Sequence, residues 1–110
     1  MKHVFSPALF LGLAAGMIAA PLSGTAAAAD AQSGKALSLT WCSACHLVSN
    51  DQAQASDAQA PSFYKIAQAP GLTEDQLIAF LADPHPKMPG MPLSNTEIGD
   101  ITRYISTLKP

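Results

Sequence analysis

The chain has 110 residues, six Lys and Arg against eight Asp and Glu, a formal charge of −2 and nine prolines. A balance this mildly acidic excludes a basic nucleic-acid-binding surface, and the two cysteines are too few for the disulfide framework that usually staples small secreted domains. Length alone allows one domain at most once any targeting segment is set aside.

The N-terminus reads as such a segment. Lys2 and His3 precede an apolar run from Val4 to Ala20, followed by Pro21, small residues and the alanines that end at Ala29. This is the charged, apolar and small-residue order of a secretory signal peptide, with cleavage expected after Ala29. The apolar stretch is short for a spanning helix and no basic stop-transfer cluster follows, so no permanent membrane span is expected after cleavage. The expected division is therefore 1–29 as signal peptide and 30–110 as a single exported domain, with the periplasm as its compartment.

About 80 residues remain, close to the size at which a chain struggles to bury enough apolar surface unaided. The mature part carries five basic and eight acidic side chains, since Lys2 is lost. With Cys42 and Cys45 too close to join distant segments, a bound cofactor is the better source of extra hydrophobic mass.

The predicted elements are all helical. The first runs from about Ala31 to Trp41 and sets Gly34, Leu37 and Trp41 at spacings of three and four, with Gly34 marking a close helix contact. The polar stretch Ser49 to Gln59 reads as a surface loop with no functional residue. Phe63 to Ala67 is a brief helix ending before Pro70 and Gly71. Thr73 and Gln76 form a capping box with Leu72 and Leu77 as staple, opening a helix that Pro84 stops near Asp83. A loop with Pro84, Pro86, Pro89 and Pro92 then displays His85, Met88 and Met91. Ser94 with Glu97, and Leu93 with Ile98, repeat the capping pattern before a last helix striped by Ile98, Ile101, Ile105 and Leu108. No strand alternation interrupts this order, and the fold class is all-α.

Chemistry concentrates in Cys42-Ser43-Ala44-Cys45-His46. In Cys-x-x-Cys-His the two thiols can add to the vinyl groups of haem while the adjacent imidazole reaches the iron. A thioredoxin-type dithiol usually opens a helix after a strand, and no strand precedes Trp41. A structural zinc site wants four ligands, whereas only His85 would remain, at no finger spacing.

From these residues the chain resembles a class I c-type cytochrome, across essentially the whole mature domain. The resemblance implies one covalently attached haem c and a fold in which the N- and C-terminal helices cross. Gly34 on the first helix and Ile101 with Tyr104 on the last match the crossing positions. Ser38 stands where many members have an aromatic residue, which assigns the packing to Leu37 and Trp41. Pro61 matches the proline whose carbonyl accepts a hydrogen bond from the ligand histidine's other nitrogen, orienting the imidazole.

In small bacterial members the sixth ligand lies in a Met-Pro step about six residues before the cap of the last helix. Met88-Pro89 with Ser94 fits that spacing, while Met91 and His85 are the alternatives. The expected metal ligands are thus His46 and Met88, with Cys42, Cys45 and Pro61 completing the haem site. Leu47, Phe63, Ile66, Leu77 and Leu81 are expected to exclude water.

Both axial positions filled by protein imply a one-electron carrier, not an enzyme, working between a donor and an acceptor redox protein. The alternatives are a haem subunit within a dehydrogenase or oxidase complex, and a haem peroxidase or gas sensor with a labile methionine. Monomer and complex subunit both remain open as assembly states.

Overall fold

The structure is a computed structural model, and it describes residues 8, 12, 14–20, 28–53, 60–83 and 88–110. The regular elements among them are four helices: α1 Ala31–Trp41, α2 Phe63–Ala67, α3 Glu74–Ala82 and α4 Asn95–Thr107. No strand occurs among the described residues, in line with the all-α expectation. Of the expected signal segment only residues 8, 12, 14–20, 28 and 29 are described, and they form no helix or strand. Among the described residues no helix is long and apolar enough to cross a membrane.

Local chemistry sets each helix boundary. Asp30 caps α1 by accepting from the amides of Gln32 and Ser33. Thr73–Gln76 and Ser94–Glu97 form reciprocal capping boxes that start α3 and α4, each satisfying two first-turn amides. Asp83 is the C-cap of α3. α4 ends one residue before Leu108, which is its C-cap and packs half-buried on the core.

α4 is the element on which the others rest, since α1, α2 and α3 all pack against it. Its stripe Ile98, Ile101 and Ile105 is buried, as is Tyr104. The ion pair Arg103–Glu74, at 3.1 Å, ties α4 to α3 at the surface. The core joins Val48, Phe63, Ala67 and Leu77 to Ile101, Tyr104 and Ile105, with Leu72, Leu81 and Leu93 packed around it.

The crossing of α1 with α4 differs from expectation in one respect. Trp41 is 43% exposed and does not fill the crossing, although Leu37 does pack half-buried on the core. The face that meets α4 is instead Gly34 and Ser38, four residues apart and both buried. Ser38 can be buried because its hydroxyl donates to the Gly34 carbonyl at 2.7 Å.

The approach at Gly34 is so close that a Cβ there would lie 1.9 Å from the carbonyl oxygen of Asp100 and 2.9 Å from the amide nitrogen of Ile101. Both atoms are backbone, so neither can swing away. Gly34→Ala should therefore destabilise the protein by about 3 kcal/mol or more, the upper end of overpacking costs. Gly90→Ala, where nothing lies within 4 Å, should cost little by comparison. Denaturant melts of the two variants check this.

Candidate haem site

The Cys42–His46 turn is a continuation of α1. The Cys42 amide donates to the Ser38 carbonyl at 2.8 Å, and the Cys42 carbonyl then accepts from both Cys45 (3.1 Å) and His46 (2.9 Å). One carbonyl thus closes the motif into a single turn. Ser43 secures it by donating through Oγ to the Leu39 carbonyl at 2.6 Å. Cys42 is buried and Cys45 exposed, with no disulfide between them. Burial pushes the Cys42 thiol up to about 11, which keeps it protonated at neutral pH. A redox dithiol needs a thiol whose proton leaves easily, so this environment disfavours that alternative.

His46 is buried, and its Nδ1 lies 2.6 Å from the carbonyl oxygen of Pro61. The carbonyl can only accept, so Nδ1 carries the proton and Nε2 is left as the lone-pair nitrogen. Phe63 packs beside the imidazole with ring centroids 5.6 Å apart, and Tyr104 stands behind Phe63 at 6.3 Å.

These residues face a cavity of about 710 Å³. Cys42, His46 and Pro61 line it together with Met88. Its apolar wall comes from Phe63 and Ile66 of α2, from Leu77, Phe80 and Leu81 of α3, and from Ile105 of α4. Lys65 and Gln76 are the polar members beyond His46. A space of this volume with a mainly apolar wall and few convergent polar groups suits a large flat apolar cofactor. The donor set fits haem in particular: a thiol and an imidazole with its second nitrogen already engaged share the cavity with a thioether.

Leu47, expected among the water-excluding residues, does not line the cavity. Its carbonyl accepts from the Phe63 amide at 2.9 Å and so helps to place α2. Phe80 lines it without having been singled out in the sequence, and Leu72, expected only as the staple to Leu77, lines it too. Phe80 was readable in principle, because Leu77, Phe80 and Leu81 share a helix face at spacings of three and four. Met91 is half-buried and outside the cavity lining, and His85 lies outside the described residues.

The stretch expected to be a surface loop is exposed at Asn50, Asp51 and Ala53, and polar contacts tie its start to the helices. Ser49 is 6% exposed, and its hydroxyl bonds to the Asp51 carboxylate, which also pairs with Lys35 of α1 at 3.2 Å. The Asn50 amide donates to the Tyr64 hydroxyl at 3.1 Å, and the Tyr104 hydroxyl donates to the Val48 carbonyl at 2.8 Å. Small polar side chains meet backbone groups here, a pattern that hydrophobic periodicity does not register. Residues 54–59 of the same stretch lie outside the described residues.

A helix that runs into Cys-x-x-Cys-His, crosses a C-terminal helix at a glycine and opens onto an apolar cavity defines the c-type cytochromes, electron carriers with covalently attached haem. The cytochrome c family model matches residues 31–109, and the chain belongs to that family. It is 48% identical over 99 residues to cytochrome c-552 of Bradyrhizobium diazoefficiens, covering 90% of this chain and 94% of that protein. No solved structure gives a significant match. The chain is accordingly a single-haem c-type cytochrome and an electron carrier, not an enzyme.

The Ser49 hydroxyl first, and Lys35 second, hold the Asp51 carboxyl below the usual carboxylate range. A carboxyl whose folded value is depressed adds stability above its unfolded value, near pH 4, and loses it as pH falls through the folded one. Asp51→Asn should then lower the melting temperature at pH 7 and converge with the parent as pH falls through the depressed folded value. A difference that stays constant across the acid range would contradict this linkage.

Proposed function

We propose that this protein is exported, cleaved after Ala29, and works in the periplasm as a carrier whose haem is bonded to Cys42 and Cys45 and ligated by His46 and Met88. The observation that carries the reading is the shared cavity, where His46, with Nδ1 tied to Pro61, faces the same space as Cys42 and Met88. The leader Lys2–Ala29 supports export, and haem attachment of this type occurs outside the cytoplasm.

When bound, haem supplies one-electron exchange between ferric and ferrous iron. The chain's residues set its terms. His46 presents Nε2, and the Pro61 carbonyl raises the basicity of that nitrogen by holding the proton on Nδ1. The Met88 thioether favours the ferrous state relative to a second imidazole, and the apolar wall disfavours the extra positive charge of the ferric state. Both push the potential upward. His46 and Met88 would both hold the iron and would leave no place on it for oxygen or peroxide, so the reading is a carrier between a donor and an acceptor protein.

Met88→Ala and Met91→Ala, made separately in haem-loaded protein, distinguish the ligands. Met88→Ala should abolish the ferric methionine-to-iron charge-transfer band, lower the potential and admit carbon monoxide to the reduced form, while Met91→Ala should keep the band. Loss of the band only in Met91→Ala would overturn the assignment of Met88.

Export is checked by mass. Material recovered from the periplasm should begin at Asp30 and weigh residues 30–110 plus one haem, whereas a retained leader or the mass of bare chain speaks against it.

A further inference from the structure

Among the side chains that hold the backbone following His46 is Gln52, whose contacts have no counterpart in the reading of the site so far. Its Oε1 accepts from the amides of Val48 at 2.6 Å and Ser49 at 3.1 Å. Its Nε2 donates to the carbonyl of His46 itself at 3.3 Å. The Gln52 amide closes the turn on the Ser49 carbonyl at 3.1 Å. A primary amide offers an acceptor and a donor at one end of a flexible stem, and here both are used on the three residues that begin with the histidine.

We propose that Gln52 is a positioning residue for the axial imidazole, acting on the main chain of His46 so that Nδ1 stays aimed at the Pro61 carbonyl. The inference rests on His46 being the iron ligand.

The ring reaches Pro61 through the side-chain torsions of His46, so the direction of its N–H follows the orientation of the residue's own peptide. Upstream, that peptide is fixed by the bond from the His46 amide to the Cys42 carbonyl. Downstream, the next residues carry no helix to hold them, because the turn ends at His46. Gln52 supplies the missing hold by tying the carbonyl of residue 46 to the amides of residues 48 and 49. The segment is braced in turn by Tyr104 on the Val48 carbonyl and by the Phe63 amide on the Leu47 carbonyl. These braces hold the residues after the histidine, whereas Gln52 holds the peptide of the histidine itself.

Without Gln52 the carbonyl of His46 and two amides must find other partners, and the Nδ1–Pro61 bond loses its fixed geometry. A weaker bond at Nδ1 makes the imidazole a poorer donor to iron. Ferric iron needs that donation more than ferrous iron does, so the potential should rise.

The test uses holo-protein with Gln52→Leu, which keeps approximate size and removes both hydrogen-bonding functions. The control is Ser94→Ala, which loses an N-cap hydroxyl of α4 and so destabilises the protein away from this turn. Exchange of the His46 ring N–H with solvent, followed by NMR, should accelerate about tenfold or more in Gln52→Leu, as expected from loss of about one net hydrogen bond. Its potential should move upward, while Ser94→Ala should keep both values at those of the parent. If Gln52→Leu lowers the melting temperature but leaves ring N–H exchange and potential unchanged, Gln52 is only a loop tie and the proposal fails.

Should Gln52→Leu not accumulate with haem, Gln52→Glu carries the test. It keeps acceptor oxygens for Val48 and Ser49 and loses the donor to His46, so ring N–H exchange should again be faster than in the parent. An unchanged exchange rate in that variant would overturn the proposal. A parent protein that carries no haem would instead defeat the reading of His46 as ligand, which separates the two failures.

Discussion

Everything in this molecule is positioned by the contact of two helix backbones at Gly34. α1 leads directly into the Cys42–His46 turn, and α4 supports α1, α2 and α3, so the angle and depth of this one crossing decide where the imidazole stands relative to the cavity wall. With the Asp100 carbonyl where the first atom of any side chain at residue 34 would lie, the crossing has little freedom to slide or tilt. Packed interiors respond to such contacts as rigid bodies, and a shift at residue 34 would carry through one helix to His46. Ser38 and Thr102, short side chains on these two helices, are fully buried as well.

The second constraint is the shortage of core. A domain of about 80 residues buries a smaller fraction of its surface than a larger one, and this one devotes much of its apolar material to surrounding a cavity of about 710 Å³. Residues such as Leu77 and Ile105 belong at once to the core and to the cavity wall. Haem bound in this cavity would thus be a structural component as much as a redox centre, completing the packing that the chain leaves unfinished. The covalent bonds to two cysteines suit this role, since they keep the missing part of the core attached in every state of the chain.

Much of this was legible in the sequence because it is written in local patterns. Both capping boxes, the isoleucine stripe of α4 and the Cys-x-x-Cys-His turn involve residues within a few positions of one another, and each has a physical meaning that survives without knowledge of the fold. The reach from His46 to Pro61 came from family resemblance, since nothing local in Pro61 announces a carbonyl aimed at an imidazole. Trp41 shares the spacing of Gly34 and Leu37 yet stays 43% exposed, because spacing alone cannot tell a contact face from the flank beside it. Gln52 was passed over for a related reason. A polar side chain that bonds only to backbone leaves no periodic trace, and its partners are fixed by the path of the chain.

The two sides of the proposed haem site are built on different principles, and their expected stiffness follows. On the histidine side, α1, the closed turn and the Pro61 carbonyl define the imidazole through short, sequential bonds. On the other side Met88 comes from the connection between α3 and α4, where the Leu93 amide bonds to the Met91 carbonyl at 2.8 Å just before the α4 cap. Pro89 and Pro92 restrict the backbone beside Met88 and Met91 without supplying a donor. A thioether is also the weaker partner for ferric iron. On the proposed ligation by His46 and Met88, the bond to methionine would be the one to yield under stress, while the covalent attachment and the braced histidine would keep haem and protein together.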